Sequence, residues 1–113
     1  MRVVILLISL SLNYSAFAIT VSGNVTKLRM FKSDYQTYLG GGVGILTFYV
    51  DTLSGACGSN EKRIAISTDH PLYETVFSTV LAAKVSGTSI TVNHLETCSQ
   101  RGSTWDFGIL DLD

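Results

Sequence analysis

The chain has 113 residues, 46% of them hydrophobic, and a formal net charge of −1 at pH 7. That length points to one domain, and so large an apolar fraction excludes a disordered polyelectrolyte. The near-neutral balance gives no concentrated basic footprint, so no nucleic-acid partner is expected.

Residues 1–18, MRVVILLISLSLNYSAFA, read as a secretory signal peptide. Arg2 supplies the positive start, Val3 to Leu12 the apolar core, and Ala16-Phe17-Ala18 the small-x-small ending that a signal peptidase cuts after. An N-terminal membrane anchor is the alternative, but the run from Val3 to Leu12 falls well short of the roughly 20 residues that span a bilayer. Cleavage leaves a single domain, residues 19–113, with seven basic and nine acidic side chains and a formal charge of −2. No later segment is long enough to cross a membrane. The expected location is the periplasm or the cell exterior. In such an oxidising compartment Cys57 and Cys98 read as one disulfide. Its loop of 41 residues is worth ~4 kcal/mol in the chain-entropy model. The two cysteines lack the C-x-x-C spacing of a metal site.

In chain order, the first strand is expected in NVTKLRMF, Asn24 to Phe31, where Leu28 and Met30 alternate with Lys27, Arg29 and Phe31. The polar, glycine-rich KSDYQTYLGGG follows as a connection. GILTFYV, Gly44 to Val50, is the second strand by its β-branched and aromatic content. DTLSGACGSNEK is a long turn region, and RIAIST, Arg63 to Thr68, is the third strand.

At Pro71 the period changes to that of a helix. Leu72, Val76 and Val80 recur four apart, as do Tyr73, Phe77 and Leu81, giving one broad apolar face. Pro71 suits the first helical position, with Asp69 or His70 as cap and Glu74 near the positive end. Lys84 in the last turn and Gly87 beyond it signal the stop. SITVNHL, Ser89 to Leu95, is the fourth strand, with Ile90, Val92 and His94 on one face, and TWDFGILDL, Thr104 to Leu112, the fifth. The fold class is thus mostly β with one helix (α+β), in the order β-β-β-α-β-β. An OB-like five-stranded barrel has that order; an α+β sheet covered by its helix is the competitor.

The glycines of YLGGGVG invite a phosphate-binding reading, but such loops need a helix after them, and here a strand follows. Their expected role is to let the chain bend into the strand. Catalytic residues are not expected. His70 beside Pro71 reads as helix-cap chemistry, His94 alternates within a strand, no nucleophile turn is present, and nothing brings Glu96 and Asp106 together. Two histidines so far apart form no local metal cluster, and no cofactor is implied. Surface recognition remains. Asp34, Tyr35 and Tyr38 supply rings and a carboxylate that suit sugars, and they are the expected ligand-binding residues. Trp105, the only tryptophan, is expected in the core. Asn24-Val25-Thr26 matches a glycosylation acceptor.

HPLYETVFSTVLAAKVSGTSITVNHLETC, through Cys98, resembles the B subunits of pertussis-like and subtilase-type bacterial toxins. The shared pattern is a tyrosine-bearing amphipathic helix, a glycine, a β-branched strand and a cysteine. The resemblance covers about Pro71 to Cys98. It implies an OB-fold, a ring of identical copies and binding of cell-surface glycans. The expected function is therefore a secreted or periplasmic binding domain for a glycan or protein surface, as an oligomer of the toxin B-subunit kind if the resemblance holds. A structural or interaction subunit without a small ligand is the second reading, and a small hydrolase the third.

Overall fold

The computed structural model describes residues 18–32 and 43–112. Its elements are β1 (Ala18–Gly23), β2 (Val25–Lys32), β3 (Gly44–Val50), β4 (Arg63–Ser67), α1 (Tyr73–Ser86), β5 (Ile90–Leu95) and β6 (Trp105–Leu112), with a short 3-10 turn at Ala56–Gly58. The class is α+β, mostly sheet with one helix. All five expected strands are present, within a few residues of their expected ends.

The strands form one open six-stranded sheet in the order β1-β5-β6-β4-β3-β2. Every pairing is antiparallel except β4 with β6. This differs from the expected five-stranded barrel in two ways. A sixth strand, β1, begins at Ala18, the last residue before the expected cut, and pairs with β5 from Ala18↔Leu95 to Gly23↔Ile90. Its alternation is short, largely exposed and ends in glycine, so it gives little periodic signal. The sheet also has two open edges, β1 and β2, although only Asn24 separates them in sequence. At that junction the Asn24 amide donates to Asp51 Oδ1 at 2.9 Å, and the Thr52 hydroxyl donates to the Ser22 carbonyl at 2.7 Å.

Strand alternation sends one residue set inward. Val25, Leu46, Phe48, Val50, Ile64, Ile66, Ile90 and Val92 meet Val76, Val80 and Ala83 of α1 in a single buried cluster. Ile90, Val92 and His94 are buried together, as their alternation predicts. The helix face is narrower than expected: Tyr73 and Phe77 are half-buried, while Leu72 and Leu81 are exposed.

The helix starts at Tyr73, two residues after Pro71. Leu72 sits at φ −96° and ψ 4°, outside helical geometry. His70 Nδ1 accepts the Leu72 amide at 3.0 Å and so holds a turn just where the first helical residue was expected. The stop falls as expected, with Gly87 in the left-handed region at φ 69°. Among the described residues no helix is long and apolar enough to cross a membrane.

Cys57 and Cys98 form the expected disulfide, with Cα atoms 6.6 Å apart. It ties the turn after β3 to the loop before β6. Cys57 occupies the left-handed region at φ 49°.

Candidate functional site

The side chains of β2, β3 and β4 that point away from the core share one sheet face. Strand register arranges them in rows. Lys27 lies opposite Tyr49, which lies opposite Arg63; Arg29 lies opposite Thr47, which lies opposite Ala65; Phe31 lies opposite Ile45. A bulge at Thr26, between Val25 and Lys27, restores the alternation that turns Lys27 and Arg29 outward.

The small middle-row residues Thr47 and Ala65 leave a shallow floor, which the long side chains cover. Arg63, only 6% exposed, runs along it. Its Nε donates to Thr104 Oγ1 at 2.7 Å and its Nη1 to the Tyr49 hydroxyl at 3.1 Å. Its guanidinium lies 5.6 Å from the Phe31 ring centre and 6.0 Å from that of Tyr49. Three more cations crowd the same two rings. Arg101 lies 4.3 Å and Arg29 5.7 Å from Phe31, and Lys27 lies 5.3 Å from Tyr49. Four of the chain's eight basic residues thus converge on two aromatic rings. Rings hold cations by the negative potential of their faces, so these charges are placed rather than free to wander.

The loop from Glu96 to Thr104 forms one wall of this face, and Asp106 fixes its shape. The Asp106 carboxylate accepts the Thr97 hydroxyl at 2.5 Å, the Ser99 hydroxyl at 2.8 Å, the Ser99 amide at 3.0 Å and the Gln100 amide at 3.2 Å. Burial alone would raise its pKa. The donors from Thr97, Ser99 and Gln100 together outweigh that and hold the carboxyl below the usual aspartate range. Ser103, in the left-handed region at φ 61°, turns the chain so that Thr104 meets Arg63.

Asp34, Tyr35 and Tyr38, the expected ligand-binding residues, lie outside the described residues. Their connection leaves β2 at Lys32, next to Phe31. His70 serves the turn before α1 by accepting the Leu72 amide, but the N-cap is Leu72 with no side-chain cap bond, so neither Asp69 nor His70 caps the helix as expected. His94 is buried, stacks on Trp105 with ring centres 4.7 Å apart, and donates from Nδ1 to the Leu95 carbonyl at 2.9 Å. Trp105 packs against the core and donates its indole N–H to the Ser54 carbonyl at 3.0 Å. Glu96 is exposed, whereas Asp106 is engaged with its own loop. Among the described residues, no three of His, Cys, Asp and Glu are grouped to hold a metal ion.

The basic and aromatic cluster was only half visible in the sequence. The alternation of Lys27, Arg29 and Phe31 was legible; the approach of Tyr49, Arg63 and Arg101 depends on register and on the β4–β6 pairing. Compared with known proteins, the chain matches no family model, no curated protein and no solved structure.

Proposed function

We propose that the protein is an exported, non-enzymatic binding domain that recognises a glycan through the outer face of β2, β3 and β4. The observation that carries this reading is the fixed cluster on that face: the buried Arg63 and Thr104 brace the Tyr49 hydroxyl and the Phe31 ring, and the exposed cations of Lys27 and Arg29 stand over the half-buried rings of Tyr49 and Phe31. Asp34, Tyr35 and Tyr38 keep the ligand-binding role expected from their chemistry.

Two further parts of the reading have their own support. Export is favoured by the disulfide, which an oxidising compartment sustains. An OB-like barrel is favoured by the two sheet edges being halves of one nearly continuous strand, bent at Gly23-Asn24 and fastened there to Asp51 and Thr52. The helix falls between β4 and β5, as an OB-fold requires between its third and fourth strands.

Binding to an array of glycans tests the function. The protein should bind a defined subset, and Tyr49→Ala should weaken that binding roughly tenfold, a loss of about 1.4 kcal/mol. Tyr35→Ala with Tyr38→Ala should also weaken it. Absence of any glycan signal from the folded, oxidised protein would overturn the reading.

One observation favours the second reading, an interaction subunit. A groove of about 200 Å³ between α1 and β6 is lined by Leu72, Val76, Phe107 and Leu110, with the exposed Ile109 at its rim. Sedimentation showing a defined assembly that Ile109→Asp dissolves would support it, and a monomer at all concentrations would count against it.

A further inference from the structure

Resting on the reading that this face binds sugar, we infer that its ligand is an acidic polysaccharide, a chain carrying repeated carboxylate or sulfate groups. A neutral sugar is usually held by stacking its C–H face on an aromatic ring. Here the ring of Phe31 has Arg29, Arg63 and Arg101 within 6 Å of its centre, and the ring of Tyr49 has Lys27 and Arg63. Ring faces occupied by cations present positive charge outward instead of an apolar platform.

The arrangement of the charges supports a chain ligand over a single ion. Lys27 and Arg29 are both exposed and stand two residues apart on one strand face, hence roughly 7 Å from one another. Arg63 sits across the sheet from Lys27 beyond Tyr49, and Arg101 approaches Phe31 from the loop side. The exposed Lys27 and Arg29 on β2 and the half-buried Arg101 of the loop form a band above the buried Arg63 and do not close into a pocket. A band suits anionic groups repeated along a polymer, each meeting a different side chain.

The rest of the molecule makes the asymmetry meaningful. The whole chain carries a net charge of −1, so this gathering of cations is local. Asp106, which pairs with Ala65 of β4, turns its carboxylate into its own loop and accepts bonds from Thr97, Ser99 and Gln100. Its oxygens are thereby committed to that loop, although its charge remains. Rings beneath the cations also reduce the freedom each loses when an anion arrives, which favours affinity through preorganisation.

The test measures binding of the oxidised protein to heparin, alginate and hyaluronan, with dextran as the neutral chain and a thymidine oligonucleotide as a polyanion of another class. Binding to at least one acidic polysaccharide and not to dextran is expected. Its affinity should fall roughly tenfold between about 50 and 200 mM salt, as about three ionic contacts to a polyanion imply. The double variant Lys27→Glu, Arg29→Glu should lose at least tenfold in affinity with only a small fall in melting temperature, because both side chains are exposed and contribute little beyond their ring contacts. Arg63→Ala would disturb the fold itself, since its buried bonds to Thr104 and Tyr49 support it.

Equal binding to dextran, or acidic-chain binding that survives the double variant, overturns the inference and leaves the carbohydrate reading standing. Tighter binding to the oligonucleotide than to any polysaccharide overturns it in favour of nucleic acid. Silence on all four polysaccharides overturns it, and silence on the glycan array as well removes the carbohydrate reading too.

Discussion

Asp106 shows how one carboxylate can organise a whole loop. It is 7% exposed, yet it stays ionised because hydroxyl and amide donors surround it. Its pKa is depressed relative to the ordinary aspartate value of 3.8. A depressed folded-state pKa stabilises the fold fully above the unfolded value, and the contribution fades as pH falls through the folded one. Asp106→Asn removes the charge and turns an N–H group toward donors. It should cost about 2 kcal/mol at neutral pH, the range for hydrogen bonds to a charged group. Urea unfolding at pH 7 and again below pH 4 checks the sign. The gap between wild type and variant should narrow in acid, because the wild type then loses what the variant never had. A gap that is constant across this range would show that the carboxylate's charge plays no part in holding the loop.

Among the elements, the bend between β1 and β2 carries the topology. A Cβ on Gly23 would stand 2.3 Å from Asp51 Oδ1 and 2.6 Å from Thr52 Oγ1, the two atoms that fasten the junction. Gly23→Ala should therefore displace both bonds and cost about 1 to 2 kcal/mol, as overpacking does elsewhere. Hydrogen exchange locates the effect: the Asn24 and Asp51 amides should exchange faster, while those of β5 and β6 at their shared centre stay protected. Unchanged exchange at Asn24 would mean that the bend holds without those bonds. The junction also marks what the sequence could convey. Strands β3 and β5 were legible because their alternation or β-branched content is strong and buried. The helix end was legible because Gly87 alone at that point accepts positive φ cheaply. The helix start was displaced because a histidine nitrogen, not a cap hydroxyl, took the amide of Leu72. Strand β1 was hidden because an exposed edge strand needs no apolar stripe. For the candidate site, Lys27, Arg29 and Phe31 announced a polar, ring-bearing strand face. Arg63, Thr104 and Arg101 lay far away in sequence, and only pairing across the sheet brings them to it.

At the scale of the whole molecule, the disulfide connects that sheet face to the core's framework. Its loop of 41 residues encloses β4, α1 and β5, so the cross-link restrains the entire crossover in the unfolded chain. The chain-entropy model values this at ~4 kcal/mol, a large part of the roughly 5 to 15 kcal/mol that hold an ordinary domain folded. Cys98 also lies between Thr97 and Ser99, both of which donate to Asp106. Loss of the bond therefore acts twice, on overall stability and on the wall of the cation face. The double variant Cys57→Ser, Cys98→Ser should unfold at a clearly lower urea concentration, with a stability loss near 4 kcal/mol. Wild-type protein in reductant should behave like the variant, while the variant itself should not respond to reductant. Ligand binding measured well below the unfolding midpoint should also weaken, because the loop that presents Thr104 to Arg63 then loses its covalent tie and keeps its weaker contacts, chiefly those to Asp106. If binding is unaltered while stability falls, the staple serves only the core, and the loop's own hydrogen bonds are enough to shape the face.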